Sequence, residues 1–185
     1  PGQFAVEAPS STTVDLGCAY TLTVGDDGAG LVRVTSGWVG FEWQGQEAFI
    51  PAGAVCVTRP SLGPGTPYFE DVSDAFRTAI DVIDAGGRGP RAAENRRAAF
   101  DRVLAEARDK DAVTLWHLLR RTRPDERDRV FDGLARLVPP PAFVTRDGIR
   151  AGDRAMLDGW WDRLGLGTTA WWRTWQQQWR DRDLR

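Results

Sequence analysis

Cys18 follows Gly17 in the run VDLGCAY (residues 14–20), and a thiol set against a glycine carbonyl is an arrangement that could open its own backbone. Glycine leaves its carbonyl approachable, and a thiolate is the nucleophile an acyl shift needs, a free thiol titrating at about pH 8.5. Asp15 and Tyr20 lie close by, but nothing in the spacing makes either the base. Cys18 also lies on the apolar side of a strand-like alternation, where an inert buried thiol is equally at home. The second cysteine, Cys56, makes one disulfide with Cys18 possible if their Cα atoms come within about 7 Å. Two cysteines exclude a cysteine-based zinc site, and a single histidine, His117, excludes a histidine-rich metal centre. No metal or cofactor is therefore expected. A catalytic triad would have to be built on His117. That residue stands between Trp116 and Leu118 in an apolar helical run and reads as a packed histidine bonding a carbonyl.

The other residues with chemical reach are aromatic or acidic. Of nine tryptophans, six fall at 160, 161, 171, 172, 175 and 179. Such clusters can stack on sugars or cations but more often fill a core, here between the last two helices, and core packing is the favoured reading. Adjacent pairs diverge on a helix, so Trp160, Trp171 and Trp172 are expected to leave an aromatic surface for a partner. The carboxylate pairs Asp158/Asp162 and Asp125/Asp128 sit on helix faces among arginines such as Arg154 and Arg163 and read as solvated ion pairs. GDDGAG (25–30) lacks the further oxygen ligands of a calcium loop and reads as a hairpin turn.

The elements that must position these residues fall into two regimes. Residues 4–58 alternate with period two: LGCAYTLTV sets Leu16, Cys18, Tyr20, Leu22 and Val24 on one face. LVRVTSGWVGFEWQ reads as the returning strand, with Gly37 and Gly40 marking a bulge or close packing. PSLGPGTPYFE (60–70) is dense in proline and glycine and reads as a linker or long ordered loop. From residue 71 the period is helical, with Asp71 or Ser73 as first cap, Asp111 capping AVTLWHLLRR, Pro124 opening a helix that ends at PPP, and Thr145 opening a long one that runs to Gly165. The expected fold class is α+β: an antiparallel or solenoid-like β domain (1–59), the linker (60–70), then an all-α array of five or six short helices (71–185).

Bulk composition is that of a folded domain. The 185 residues are 42% hydrophobic and 27% charged, and 24 basic residues against 26 acidic leave a net charge of −2. That balance gives no electrostatic footprint for nucleic acid. No apolar run reaches the length of a membrane span and no signal peptide is visible. The chain opens at Pro1 without a methionine and reads as part of a longer protein, whose membrane anchor, if any, is expected upstream.

The β stretch resembles the C-terminal half of the FecR domain. The pattern F-x-V-x-[AT]-P, V-x-x-L-G-T-x-F/Y-x-V, V-x-V-x-x-G-x-V and V-x-A-G is met by Phe4, Val6, Pro9, Val14, Leu16, Gly17, Tyr20, Val24, Val32, Val34, Gly37, Val39, Pro51, Ala52 and Gly53. The resemblance implies a non-enzymatic sensing and protein-binding region on the periplasmic side of the bacterial inner membrane. It also implies an anchored regulator whose partner is another protein, a sigma-factor pathway or an envelope component. Some relatives cleave themselves at a Gly-Thr of this motif. Gly17-Cys18 stands at that position here, so a self-processing domain is one alternative, and a carbohydrate- or cell-wall-binding module using the tryptophans is another. Residues 71–185 resemble the Trp-rich helical extension of some family members.

Overall fold

A computed structural model describes residues 5–8, 11–14, 18–167, 169–170, 172–174 and 176–177. The class is α+β, with antiparallel sheets followed by helices. The chain divides into two compact units, residues 1–117 and 118–185.

Unit 1 begins with β1 (Ala5–Ala8) and β2 (Ser11–Val14), then β3 (Ala19–Val24), β4 (Gly30–Ser36), β5 (Trp38–Trp43), β6 (Gln46–Pro51) and β7 (Ala54–Arg59), and two short strands, β8 (Gly63–Pro64) and β9 (Tyr68–Phe69). One sheet has the order β1-β2-β5-β6 and the other β3-β4-β7-β8, with β9 also on β7. Neither sheet closes on itself. Their apolar faces meet in one cluster: Val32, Val34, Ala54 and Cys56 from the second sheet against Val39, Phe41, Ala48 and Ile50 from the first. The registers Leu22↔Val32↔Cys56 and Phe41↔Ala48 put these side chains on the facing surfaces, as the period of two requires.

The stretch expected to return as one strand is two. Gly37 holds φ at +67°, where a side chain is strained, and the chain turns there from one sheet into the other. The GDDGAG segment does form the β3–β4 hairpin, with the Gly25 N–H donating to the Ala29 carbonyl at 2.8 Å, the Ala29 N–H donating to Asp27 Oδ1 at 3.0 Å, and Gly28 at φ +76°.

Residues 60–70 are ordered rather than a bare connection, carrying β8 and β9 and lying buried from Gly63 to Tyr68. Asp84 receives both the backbone N–H and the hydroxyl of Thr66 at 2.7 Å, and Thr114 Oγ1 donates to the Pro67 carbonyl at 2.8 Å. Asp84 belongs to α1 (Asp74–Ala85), which pairs with α2 (Pro90–Glu106). Ser73 is the cap of α1, its hydroxyl accepting from the Phe76 N–H at 2.9 Å, and Gly86 ends the helix at φ +62°. The last turn of α1 is closed from α2, where the Arg96 guanidinium donates to the Ile83 carbonyl and lies over the Phe100 ring. A 3-10 turn (Asp109–Asp111) leads into α3 (Ala112–Arg121), within which the boundary between the units falls.

Unit 2 holds α4 (Pro124–Leu137), α5 (Arg146–Ala151) and α6 (Arg154–Arg163), with further helical backbone at 172–174 and 176–177. The long helix expected from Thr145 to Gly165 is broken in two. Thr145 does cap it, accepting from the Gly148 N–H at 3.1 Å, but Gly152 at φ +76° ends α5 and the Asp153 carboxylate caps α6. Among the described residues no helix is long and apolar enough to cross a membrane.

Candidate functional site

A cluster of charged side chains in unit 1 surrounds the junction between α2 and the 3-10 turn. An open groove of about 240 Å³ there is lined by Val72, Ser73, Phe76, Glu106, Arg108 and Asp111. Arg108 is its centre. Its Nε and Nη2 reach the two oxygens of Asp111 at 2.7 and 3.1 Å, while Nη1 and Nη2 reach the two oxygens of Asp71, both at 3.1 Å. Asp111 is fully buried and also accepts from the Arg108 backbone N–H at 2.9 Å. It was expected to cap α3; instead the one-turn 3-10 segment intervenes, and its carboxylate turns back to close that segment's start. Lys110 Nζ adds 2.6 Å to Asp71 and lies over the Phe69 ring. On the other wall the Ser73 hydroxyl donates to Glu106 Oε2 at 2.5 Å, and Arg102 supports Glu106 at 3.0 Å.

The neighbouring donors favour the charged forms of Asp71 and Glu106. The Lys110 ammonium and then the Arg108 guanidinium hold the Asp71 carboxyl down to about 2. The Ser73 hydroxyl and Arg102 hold Glu106 below the usual carboxylate range, and Asp111 with Asp71 raises Arg108 above its ordinary value. The groove orders charge and shape.

A pH titration tests this account. The folded Asp71 carboxyl lies below its unfolded value of 3.8, so its contribution to stability is present above about pH 4 and is lost as pH falls toward 2. The carboxyl carbon resonance of Asp71 is expected to titrate near 2, and in Lys110→Ala the midpoint moves up toward 3.8. A midpoint unmoved by Lys110→Ala rejects the assignment.

The residues singled out by sequence have other fates. His117 lies at 0% exposure. Its Nδ1 is 2.7 Å from the Val113 carbonyl, the bond expected, and its Nε2 accepts from the Phe49 N–H of β6 at 2.9 Å, a bond that sequence did not foresee. The second bond fixes the tautomer: Nε2 accepts, so the proton is on Nδ1.

Cys18 and Cys56 are not joined; both are thiols. Their strands flank β4 on opposite sides, and two strand spacings of about 4.8 Å already exceed the roughly 7 Å a disulfide tolerates. Cys56 is buried and donates to the Gly65 carbonyl at 3.2 Å, while half-buried Cys18 packs on the sandwich core. Gly17, its partner in the self-cleavage reading, lies outside the described residues.

The aromatic surface expected from Trp160, Trp171 and Trp172 is not formed by two of its members. Trp160 and Trp172 are at 0% exposure, and Trp171 lies outside the described residues. The buried stripe of α6 runs through Leu157, Trp160 and Trp161, positions i, i+3 and i+4, and is wide enough to take adjacent tryptophans together. Trp160 meets the Phe131 ring edge-on at 5.0 Å and donates its N–H to the Val138 carbonyl at 3.1 Å. Of the carboxylates singled out, Asp158 takes Arg173 on both oxygens at 2.9 and 2.7 Å and Asp128 takes Arg150 at 2.6 Å, arginines distant in sequence, while Asp162 accepts from the Thr169 N–H at 3.0 Å. Arg150 lowers the Asp128 carboxyl below its ordinary range.

Sequence reasoning missed Arg108 and Glu106 altogether. A faint signal was available: the mixed-charge run EARDKDA holds the chain's sole lysine and directly follows the helical period of α2. Among the described residues no group of three or more histidine, cysteine or carboxylate side chains is placed to hold a metal ion. Comparison with protein-family models, with curated proteins and with solved structures returned no match.

Proposed function

We propose that the chain is the non-enzymatic sensing and protein-interaction region of a membrane-anchored FecR-like regulator. It stands on the periplasmic side of the bacterial inner membrane and passes a signal toward a sigma-factor pathway. The β region is read as the solenoid-like second half of that domain and the helices as its extension. One observation carries the reading. The positions of the FecR pattern from Val32 onward have coherent places in a single sandwich: Val32, Val34 and Val39 lie in its core, and Gly37 and Gly53 make its turns at φ +67° and +82°. The acidified carboxylates around Arg108 and the doubly bonded His117 also suit a domain that binds rather than one that reacts.

The test is made in the parent protein. An alkaline phosphatase fused after Arg185 is expected to be active, and removing residues 1–185 is expected to change transcription from the promoters of the associated sigma factor. An inactive fusion overturns the location, and unchanged transcription overturns the regulatory role.

A further inference from the structure

We propose that Met156 is a site of reversible oxidation by hydroperoxides, at which one added oxygen atom unseats α6 from the cap of α5.

Met156 is the chain's sole methionine, and its thioether serves as an acceptor between two helices. It stands in the first turn of α6, where its N–H donates to the capping Asp153 carboxylate at 3.1 Å. From there the side chain reaches back to the head of α5. Its Sδ receives the Thr145 N–H at 3.5 Å and the Thr145 hydroxyl at 3.7 Å. The same hydroxyl accepts from the Gly148 N–H at 3.1 Å, so one threonine both caps α5 and holds the sulfur. The seat is tight on its other side as well. The sulfur lies so close on Gly148 that a Cβ at that position would overlap it. Glycine weakens a helix, and α5 is only six residues long; here the bare backbone is what admits the sulfur.

The tie matters because α5 stands between two helices in the chain of contacts. Arg146 and Arg150 bind it to Asp132 and Asp128 of α4, the second pair at 2.6 Å. The Met156 sulfur binds its cap to α6. A change at the sulfur therefore acts on how α6 is held by the α4–α5 pair.

The chemistry is a two-electron oxidation. A sulfur lone pair attacks the outer oxygen of a hydroperoxide, the S–O bond forms as the O–O bond breaks, and the departing oxygen takes the proton and leaves as water or an alcohol. The thioether is oxidised to the sulfoxide and the peroxide is reduced. A thiol-dependent reductase reverses the step: two thiols become a disulfide and the oxygen leaves as water. Met156 is half-buried, while Thr145 and residues 151–155 are exposed, so the site lies at the surface within reach of a small peroxide.

The product does not fit the seat. A thioether sulfur is a weak acceptor, and oxidation makes the side chain polar and chiral. The new oxygen competes for the two Thr145 donors from the place the sulfur now fills, and Gly148 leaves the sulfur no room to retreat. The first turn of α6 has to move off α5. This inference stands independently of the FecR-type reading.

Peptide mass mapping and amide exchange on the whole chain, before and after hydrogen peroxide, test it. A thiol wash after the peroxide returns any disulfide or sulfenic acid at Cys18 and Cys56 to the thiol and leaves the sulfoxide in place. The peptide holding Met156 is expected to gain the mass of one oxygen atom. The amides of Ile149 and Leu157, buried residues bonded to the Thr145 and Asp153 carbonyls in the first turns of α5 and α6, are expected to exchange about tenfold faster or more. Methionine sulfoxide reductase is expected to restore both readings. Met156→Leu keeps the volume and cannot take the oxygen, and its exchange is expected to be unmoved by peroxide. A Met156 left unoxidised while free methionine in the same solution is converted overturns the proposal. So does a sulfoxide that leaves exchange at Ile149 and Leu157 unchanged, and so does a Met156→Leu chain that responds to peroxide as wild type does.

Discussion

Trp160→Ala is expected to cost unit 2 about 3–5 kcal/mol, the range found when a fully buried large aromatic is truncated. Its ring is at 0% exposure and stacks edge-on against Phe131. Its indole N–H also satisfies the Val138 carbonyl, at the end of α4, where helical carbonyls have no partner within the helix. The substitution therefore opens a cavity and strips a helix terminus together. A unit this small holds only a few kcal/mol from its core, so α4 to α6 are expected to lose their cooperative urea transition altogether. Trp160→Phe keeps most of the packing and loses the N–H, and should cost about 1–2 kcal/mol. Circular dichroism at the helical band, followed through urea, reads both. If Trp160 were a surface binding residue, the alanine variant would leave the midpoint within about 0.5 kcal/mol of wild type; that result would reject the core assignment.

His117→Ala is the counterpart in unit 1, with an expected loss of about 3–5 kcal/mol from a cavity and an unsatisfied buried amide. Among the described residues β6 is the last strand of its sheet, and the Phe49 N–H on it is taken up by the imidazole of a helix. The Phe49 ring packs beside the same helix, 5.8 Å from Trp116 and 6.2 Å from His117. The histidine thus serves as a clasp between an edge strand and α3. In wild type the Phe49 amide is expected to exchange only on global unfolding. In His117→Ala it should exchange well before its neighbours on the β5 side. His117→Gln offers an oxygen to the same N–H and should recover part of the loss. Unchanged exchange at Phe49 in the alanine variant would refute the clasp.

What could be read from sequence was local. The GDDGAG hairpin, the Ser73 cap, Pro124 at the head of α4 and Thr145 at the head of α5 each depend on residues within a turn of one another, so short-range chemistry dictates them. The misreadings came where distant chain decides. Gly37 reads as a bulge within a strand, yet it parts two sheets because β2, far upstream, pairs with β5. Asp111 reads as a cap because nothing local reveals that Arg108 will grip both it and Asp71, 37 residues away. His117 was correctly read as packed, but its bond to Phe49 spans 68 residues and leaves no trace in spacing. Core packing of the tryptophans was read correctly for Trp160, Trp161 and Trp172, but the expected exposure of one of the adjacent pair 160/161 failed for a different reason. Periodicity gives the direction of a helix face, whereas the width of the stripe that gets covered is set by how many neighbours arrive.

The sheet change at Gly37 also has a consequence in time. The β3–β4 and β5–β6 ladders are hairpins, which close in roughly microseconds. The β2–β5 ladder is not: Val14 meets Gly40 only after the whole β3–β4 hairpin has been looped out between them. Loop closure of that length must precede its reward, and pairings of this kind set the slow step in β proteins. By the same argument the β4–β7 ladder, which loops out the β5–β6 hairpin, also belongs to the slow, long-range pairings.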